Sequence, residues 1–359
     1  MKKLLAVTVA LASLLFITAA GKTTYAMPAI TGTPELDSPR LLDWGRDVDN
    51  GTPDLTEQTA NRLSDLHGSF SDCDIVLSTA GNYHMALRDL WYDVYLPTYA
   101  SSLGLRNWFF TTSPPITMEQ VKNANLVVGN LALKCVPQLT VGPLKAINEM
   151  AAAGLTEGPA IPVFKNRGNV LLVKKGNPKH IHSVWDLARP HVKVVTPNPN
   201  SEKNTFDNYV GTIYNVALND QANAPEGWTA DRLFNAIFNG TMGRGDDDKE
   251  TMHKWIIGGR IHHREVPWSI AYGDADAGVI FYHLALDAVT RFPDLFEIVP
   301  LGGTVADPQP VPGNQVGAHY LIRIKGNWSD KQINARERLI DSFNSPEFTA
   351  ILERHGLKR

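Results

Sequence analysis

Short aliphatic and β-branched runs alternate with amphipathic stretches along most of the chain. Asp74-Ile-Val-Leu-Ser-Thr-Ala-Gly-Asn82 predicts a buried strand that ends in small and polar residues. Tyr83 to Leu103 then predicts an amphipathic helix with Pro97 as a point of interruption. The plan repeats in Asn107 to Pro115, a strand and loop followed by a short helix over Thr117 to Asn123. It repeats again in Ala124-Asn-Leu-Val-Val-Gly-Asn130, followed by helix-like pieces to Ala153. Three strand-then-helix units predict an α/β fold with a doubly wound, mainly parallel sheet, whose ligands sit at the carboxyl ends of its strands.

Gly168 to Val210 is the most informative segment. Asn169 to Val173 predicts a strand, Lys174 to Pro178 a turn, and Ser183-Val-Trp-Asp-Leu-Ala a helical turn or two stopped by Pro190. Val192 to Thr196 predicts a second buried strand running into Pro197-Asn-Pro-Asn-Ser-Glu, where a new helix begins with unpaired backbone N–H groups. Such a corner suits an anion. Further on, Gly273 caps a helix and Ala277 to Tyr282 forms a strand. The runs Phe296-Glu-Ile-Val-Pro and His319-Tyr-Leu-Ile-Arg-Ile follow as strands, with closing helices over Gln332 to Asn344 and Pro346 to His355.

Three groups of words carry a resemblance: Val173-Lys-Lys-Gly-Asn-Pro with Asp186-Leu-Ala-Arg-Pro, Val194-Val-Thr-Pro-Asn-Pro, and Ala271-Tyr-Gly-Asp-Ala-Asp-Ala-Gly-Val-Ile-Phe-Tyr-His. In this order and spacing they resemble the periplasmic solute-binding proteins of ABC importers, type II fold, in the branch that carries molybdate, tungstate and sulfate. The resemblance spans about Asp65 to Leu357. It implies two α/β lobes joined by a double crossover, with the ligand in the cleft between them. The expected organisation is a signal peptide at 1–26, an extended lead-in at 27–69, a discontinuous first lobe at 70–168 and 286–359, and a second lobe at 169–285.

Composition agrees with a soluble globular protein: 43% of residues are hydrophobic and the formal net charge is −3, so nucleic acid and membrane surfaces are not expected partners. The first residues, MKKLLAVTVALASLLFITAA, have the charge and short apolar run of a secretory signal, with cleavage expected near Ala26 and a periplasmic destination. No cysteine precedes Cys73 to carry a lipid anchor. Cys73 and Cys135 form either one disulfide or two free thiols.

An oxyanion can be held by backbone N–H groups and hydroxyls without an opposing charge. Small and hydroxyl residues at predicted strand ends therefore mark the candidates Ser78, Thr79, Ala80, Gly81 and Asn82, then Thr112 and Ser113, then Gly129 and Asn130. Any of these hydroxyls could instead be an ordinary helix cap. The resemblance implies hydroxyl contacts from the first two corners, helix N-terminal amides near His263 and Arg264, and a tyrosine hydroxyl at Tyr282; Phe281 is the alternative occupant of that register, because a one-residue shift reverses which side chain faces inward. Asn198 and Ser201 complete the second-lobe corner, and Glu202 is expected to point outward at the helix start. Gly81-Asn82 and Pro114-Pro115 depart from the molybdate pattern, and Asn200-Ser-Glu-Lys-Asn-Thr lacks the glycine-rich continuation expected for sulfate.

His180, His182, His262 and His263 lack the Cys or carboxylate spacing of a metal site, so no metal and no cofactor are expected. No nucleophile elbow, phosphate loop, dinucleotide fingerprint or metalloprotease helix suggests an enzyme. The function expected is capture of a small inorganic anion, molybdate or tungstate first, by a monomer that docks on an ABC permease in the inner membrane. Sulfate, a small organic anion, or presentation of a ligand to a sensor are the alternatives.

Overall fold

The apolar runs become two sheets, each wrapped by its own helices. The computed structural model describes residues 26–37, 68–70, 72–79, 81–110, 118–123, 126–128, 131–240 and 254–359. The first-lobe sheet contains β3 (Ile75–Ser78), β4 (Trp108–Phe110), β7 (Leu139–Pro143), β8 (Thr156–Lys165) and β14 (Ala318–Ile324), in the order β4-β3-β7-β14-β8. The second-lobe sheet contains β1 (Glu35–Leu36), β9 (Asn169–Lys174), β10 (Val194–Val195), β11 (Trp255–Ile257), β12 (Ala277–Phe281) and β13 (Phe296–Pro300), in the order β1-β11-β10-β12-β9-β13. A third, small sheet joins β2 (Gly68–Phe70), β5 (Leu126–Val128) and β6 (Leu131–Leu133).

The helices are α1 (His84–Asp89), α2 (Leu96–Leu103), α3 (Met118–Asn123), α4 (Leu144–Ala152), α5 (Lys203–Asn219), α6 (Ala230–Phe238), α7 (His262–Tyr272), α8 (Tyr282–Arg291), α9 (Asp330–Phe343) and α10 (Pro346–Arg354). A π-helical stretch, Leu90–Tyr95, joins α1 to α2 just ahead of Pro97. A proline supplies no backbone N–H, and the wider turn upstream accommodates that break. One apolar core gathers Leu77, Leu87, Trp91, Leu339, Phe343 and Phe348 in the first lobe. Another gathers Leu171, Leu172, Val194, Tyr209, Phe234 and Ile280 in the second, and Met85 of α1 packs into it from the first lobe.

Both sheets mix parallel and antiparallel pairs. β3 runs parallel to β4 and β7, and β10 runs parallel to β11 and β12. The antiparallel pairs are made by the strands that flank the crossovers: β9 with β12 and β13, and β14 with β7 and β8. Two details correct the sequence reading, and Glu35 and Leu36 of the lead-in add an edge strand beside Ile256 and Ile257. The chain does not return to the first lobe at 286, because β13 pairs with β9 from Phe296↔Lys174 to Pro300↔Val170. The third strand-then-helix unit is interrupted: β5 pairs antiparallel with β6, with Val128 opposite Leu131, and β7 follows before α4. A Gly-Asn pair between two apolar runs is a hairpin signal as much as a strand end.

Cys73 and Cys135 are disulfide-bonded, with Cα atoms 6.2 Å apart, and tie the start of β3 to the segment before β7. Both crossovers are locked to each other by asparagines. Asn166 accepts from Gly168 N (3.1 Å) and Gly317 N (2.9 Å) through Oδ1, and its own N–H donates to Gly317 O at 2.9 Å. Asn314 reciprocates by accepting from Asn169 N and donating to Asn169 O, both at 2.8 Å. Between them Gly168 adopts φ 79°, and a Cβ there would meet Pro310 Cγ at 2.9 Å. Paired crossovers held at one level form a hinge about which two rigid lobes can rotate.

Candidate ligand site between the lobes

β3 lies between two parallel neighbours and delivers its carboxyl end to the cleft. Ser78 and Thr79, 2% and 1% exposed, sit at that end. The chain then turns through Gly81–Tyr83 into α1. Across the sheet Ser78 pairs with Thr140 of β7, whose buried hydroxyl has no hydrogen-bond partner. Sequence reasoning passed over Thr140 because it stands inside an apolar run and not at its end. Ala80, Thr112, Ser113, Gly129 and Asn130 lie outside the described residues, as does nearly all of the signal-like segment.

The second-lobe corner differs from the expectation. The Asn198 side chain is spent on its own turn, accepting from Asn200 N at 3.0 Å and donating to Gly258 O at 3.4 Å, and Ser201 is exposed. Glu202 points inward. Its carboxylate accepts from the His262 backbone N–H (2.7 Å) and meets His262 Nδ1 at 2.5 Å, so it occupies the N-terminus of α7. The helix dipole and the imidazole hydrogen both favour a negative charge there, which is why the carboxylate turns in.

His263 and Arg264 face a groove shared by both lobes, lined also by His84 and Met85 of α1 and by Asp287 and Arg291 of α8. Asn198 and Ser201 are not among the residues that line that groove. Tyr282 is turned away: its hydroxyl donates to Val305 O at 2.8 Å, so it does not offer the ligand contact implied by the resemblance. The neighbouring Phe281 is the last residue of β12 and packs on the ring of His283, whereas Tyr282 already opens α8. Its ring stacks on His283 at 5.6 Å and meets Tyr209 edge-on at 5.2 Å.

The sequence also missed His283, which seats directly on the first-lobe corner. Its Nε2 donates to Asn82 O at 2.8 Å and its ring stacks on Tyr83 at 4.8 Å. A circuit of rings follows from Tyr83 to His283, Phe281, His262, His263 and back to His84, crossing between the lobes twice. Burial pushes His283 down to about 3 and His319 to about 4, and burial with the neighbouring His262 and His84 holds His263 well below the usual imidazole range. His180 and His182 are exposed. Among the described residues no three His, Cys, Asp or Glu side chains are grouped to hold a metal ion.

Residues 139–358 match the family model described as bacterial extracellular solute-binding protein. The chain belongs to this family. No helix among the described residues of this solute-binding protein is long and apolar enough to cross a membrane. Sulfate-binding proteins of Salmonella typhimurium and Escherichia coli are each 48% identical over 61 residues, which is 16% of this chain and 18% of theirs. The chain therefore spans less than a fifth of the length of these curated relatives. The crystallised sulfate-binding protein SubI of Mycobacterium tuberculosis H37Rv is similar in fold, with a TM-score of 0.50 at 16% identity, covering 81% of this chain and 86% of that one. The family is one of solute-binding proteins and not of enzymes.

Proposed function

We propose that this protein is the periplasmic substrate-binding component of an ABC importer, capturing a small tetrahedral oxyanion by closure of its two lobes and passing it to an inner-membrane permease as a monomer. The observation that carries this reading is the corner at the end of β3, where the buried Ser78 and Thr79 hydroxyls lie beside Thr140 and next to the His283–Asn82 contact from the opposite lobe. Hydroxyls at the carboxyl end of a parallel strand can donate to anion oxygens without bringing a counter-charge. The paired crossovers supply the hinge, and the sulfate-binding relatives favour an inorganic oxyanion. Molybdate and tungstate remain part of the reading. Thr112 and Ser113 complete the proposed first-lobe donors.

Thr79→Ala is expected to weaken oxyanion binding about 10-fold to 100-fold, the loss that goes with one hydrogen bond to a charged group. Isothermal titration with phosphate, sulfate and molybdate checks it. Unchanged affinity for every oxyanion bound by the wild type would remove the β3 corner from the site. A small organic anion is the second reading, favoured by the ring circuit, which offers flat apolar walls that an inorganic ion does not need.

A further inference from the structure

The His283 contact with the first-lobe corner falls on two consecutive residues, Asn82 through its carbonyl and Tyr83 through its ring. Tyr83 is 2% exposed and directly precedes α1. Its other ring neighbours come from the two strands that carry the crossovers. Phe164, near the end of β8, lies 4.8 Å away, and His319, at the start of β14, meets it edge-on at 4.3 Å. Phe164 and His319 are register partners and stack on each other at 5.1 Å. The hydroxyl reaches the hinge itself: Asn166 Nδ2 donates to Tyr83 Oη at 3.5 Å, while Oδ1 of the same amide accepts from Gly168 N and Gly317 N. One side chain therefore holds both crossovers with its oxygen and Tyr83 with its nitrogen. There is little slack around that amide, since a Cβ on Gly317 would come within 3.0 Å of Asn166 Nδ2. A bond at the long end of the hydrogen-bonding range is made or broken by a small rotation of the crossovers.

We propose that Tyr83 is a positioning residue that couples the ligand corner to the hinge: His283, seated on Asn82 and Tyr83, fixes the ring, and the fixed ring holds its hydroxyl against Asn166 at the crossover angle of the closed form. The inference rests on capture by lobe closure, as read above, and not on the identity of the anion. When the lobes part, His283 leaves and the ring loses its second-lobe wall. Phe164 and His319 move with the strands that feed the crossovers, so the ring follows them and its hydroxyl separates from Asn166. The bond then favours the closed form alone, and a ligand that selects the closed form benefits from it without touching Tyr83. Hinge and corner are thus two places that bias one equilibrium, which is the physical content of coupling between them.

Tyr83→Phe tests this, because it keeps the ring against His283, Phe164 and His319 and deletes the hydroxyl alone. Small-angle scattering of the ligand-free variant at pH 8 is expected to give a larger radius of gyration than the wild type. Isothermal titration with phosphate, sulfate and molybdate is expected to show each anion that the wild type binds held about threefold to tenfold more weakly, by a common factor, since fewer molecules are closed and no ligand contact is lost. The melting temperature without ligand should stay within about 3 °C of the wild type, as befits one long hydrogen bond. A radius equal to that of the wild type would overturn the proposal, and with a lowered melting temperature it would make Tyr83 a packing residue only. Unchanged affinities would overturn it as well, and so would a loss confined to one anion, which would put the hydroxyl on the ligand. If the wild type binds none of the three anions, the oxyanion reading falls, and the scattering result still decides the coupling.

Discussion

Arg260→Ala is expected to lower stability by about 3–5 kcal/mol, the cost of breaking a buried ion pair on one side. Arg260 sits between two carboxylates, paired with Asp37 of the lead-in and with Glu265 Oε1 at 3.3 Å, and its backbone N–H donates to Glu265 Oε2 at 2.8 Å. Its guanidinium also covers the Trp268 ring at 4.0 Å. Glu265 is 0% exposed, and burial together with the nearby Asp37 already holds its carboxyl above the ordinary range. Without the arginine, two acidic groups share one dry site and the edge strand β1 loses its anchor. Urea denaturation of wild type and variant measures the difference. A loss below about 1 kcal/mol would mean that the cluster behaves like an exposed surface pair.

Acidification is expected to open the lobes. His283 and His263 reach across the interface, facing Asn82 O, Tyr83 and His84 of the first lobe. Around them stand His262 and Arg264 of α7, His319 of β14, and the Asp287 and Arg291 side chains in the adjoining groove. The closed form holds both imidazoles neutral, with His283 at about 3, whereas separated lobes would return them to solvent near 6.5. Opening therefore takes up protons. Closure is fully supported above about pH 6.5 and is lost as the pH falls below it, by up to about tenfold per pH unit for each of the two groups. Small-angle scattering of the ligand-free protein from pH 8 to pH 5 should show the radius of gyration rising over that window. A constant radius in a protein that stays folded would contradict this role for the histidines.

The fold was legible because its signals are local. Leu171, Val194 and Ile280 sit in runs short and apolar enough to be strands, and Gly273 ends its helix in the left-handed conformation, at φ 82°. Thr229 and Ser329 cap α6 and α9 by accepting from Arg232 N and Gln332 N. What the sequence could not convey was pairing. Nothing in Phe296-Glu-Ile-Val-Pro says whether it joins the first sheet or the second, since a buried edge strand reads the same in either.

The site was half legible for a related reason. Ser78 and Thr79 were visible as hydroxyls at a strand end, a one-dimensional pattern. Glu202 was assigned outward because a carboxylate at the start of α5 already suits that helix. Its actual partner, the N-terminus of α7, comes from 60 residues further along the chain. Tyr282 and Phe281 exchanged roles because β12 ends at Phe281 and Tyr282 already opens α8. His283 carried no signal beyond its spacing from Asp287, because its partner, the Asn82 carbonyl, lies on the other lobe.

A thermal-shift titration of the purified protein against phosphate, arsenate, sulfate, molybdate, tungstate, small carboxylates and divalent metals tests the central claim most directly. Ligand that binds only the folded state adds about 2.7 kcal/mol at one hundred times its dissociation constant, so the melting temperature should climb with the logarithm of concentration for at least one oxyanion. A rise with an oxyanion and none with the metals is the predicted result. A flat melting temperature across every oxyanion, up to millimolar concentration, would contradict the account.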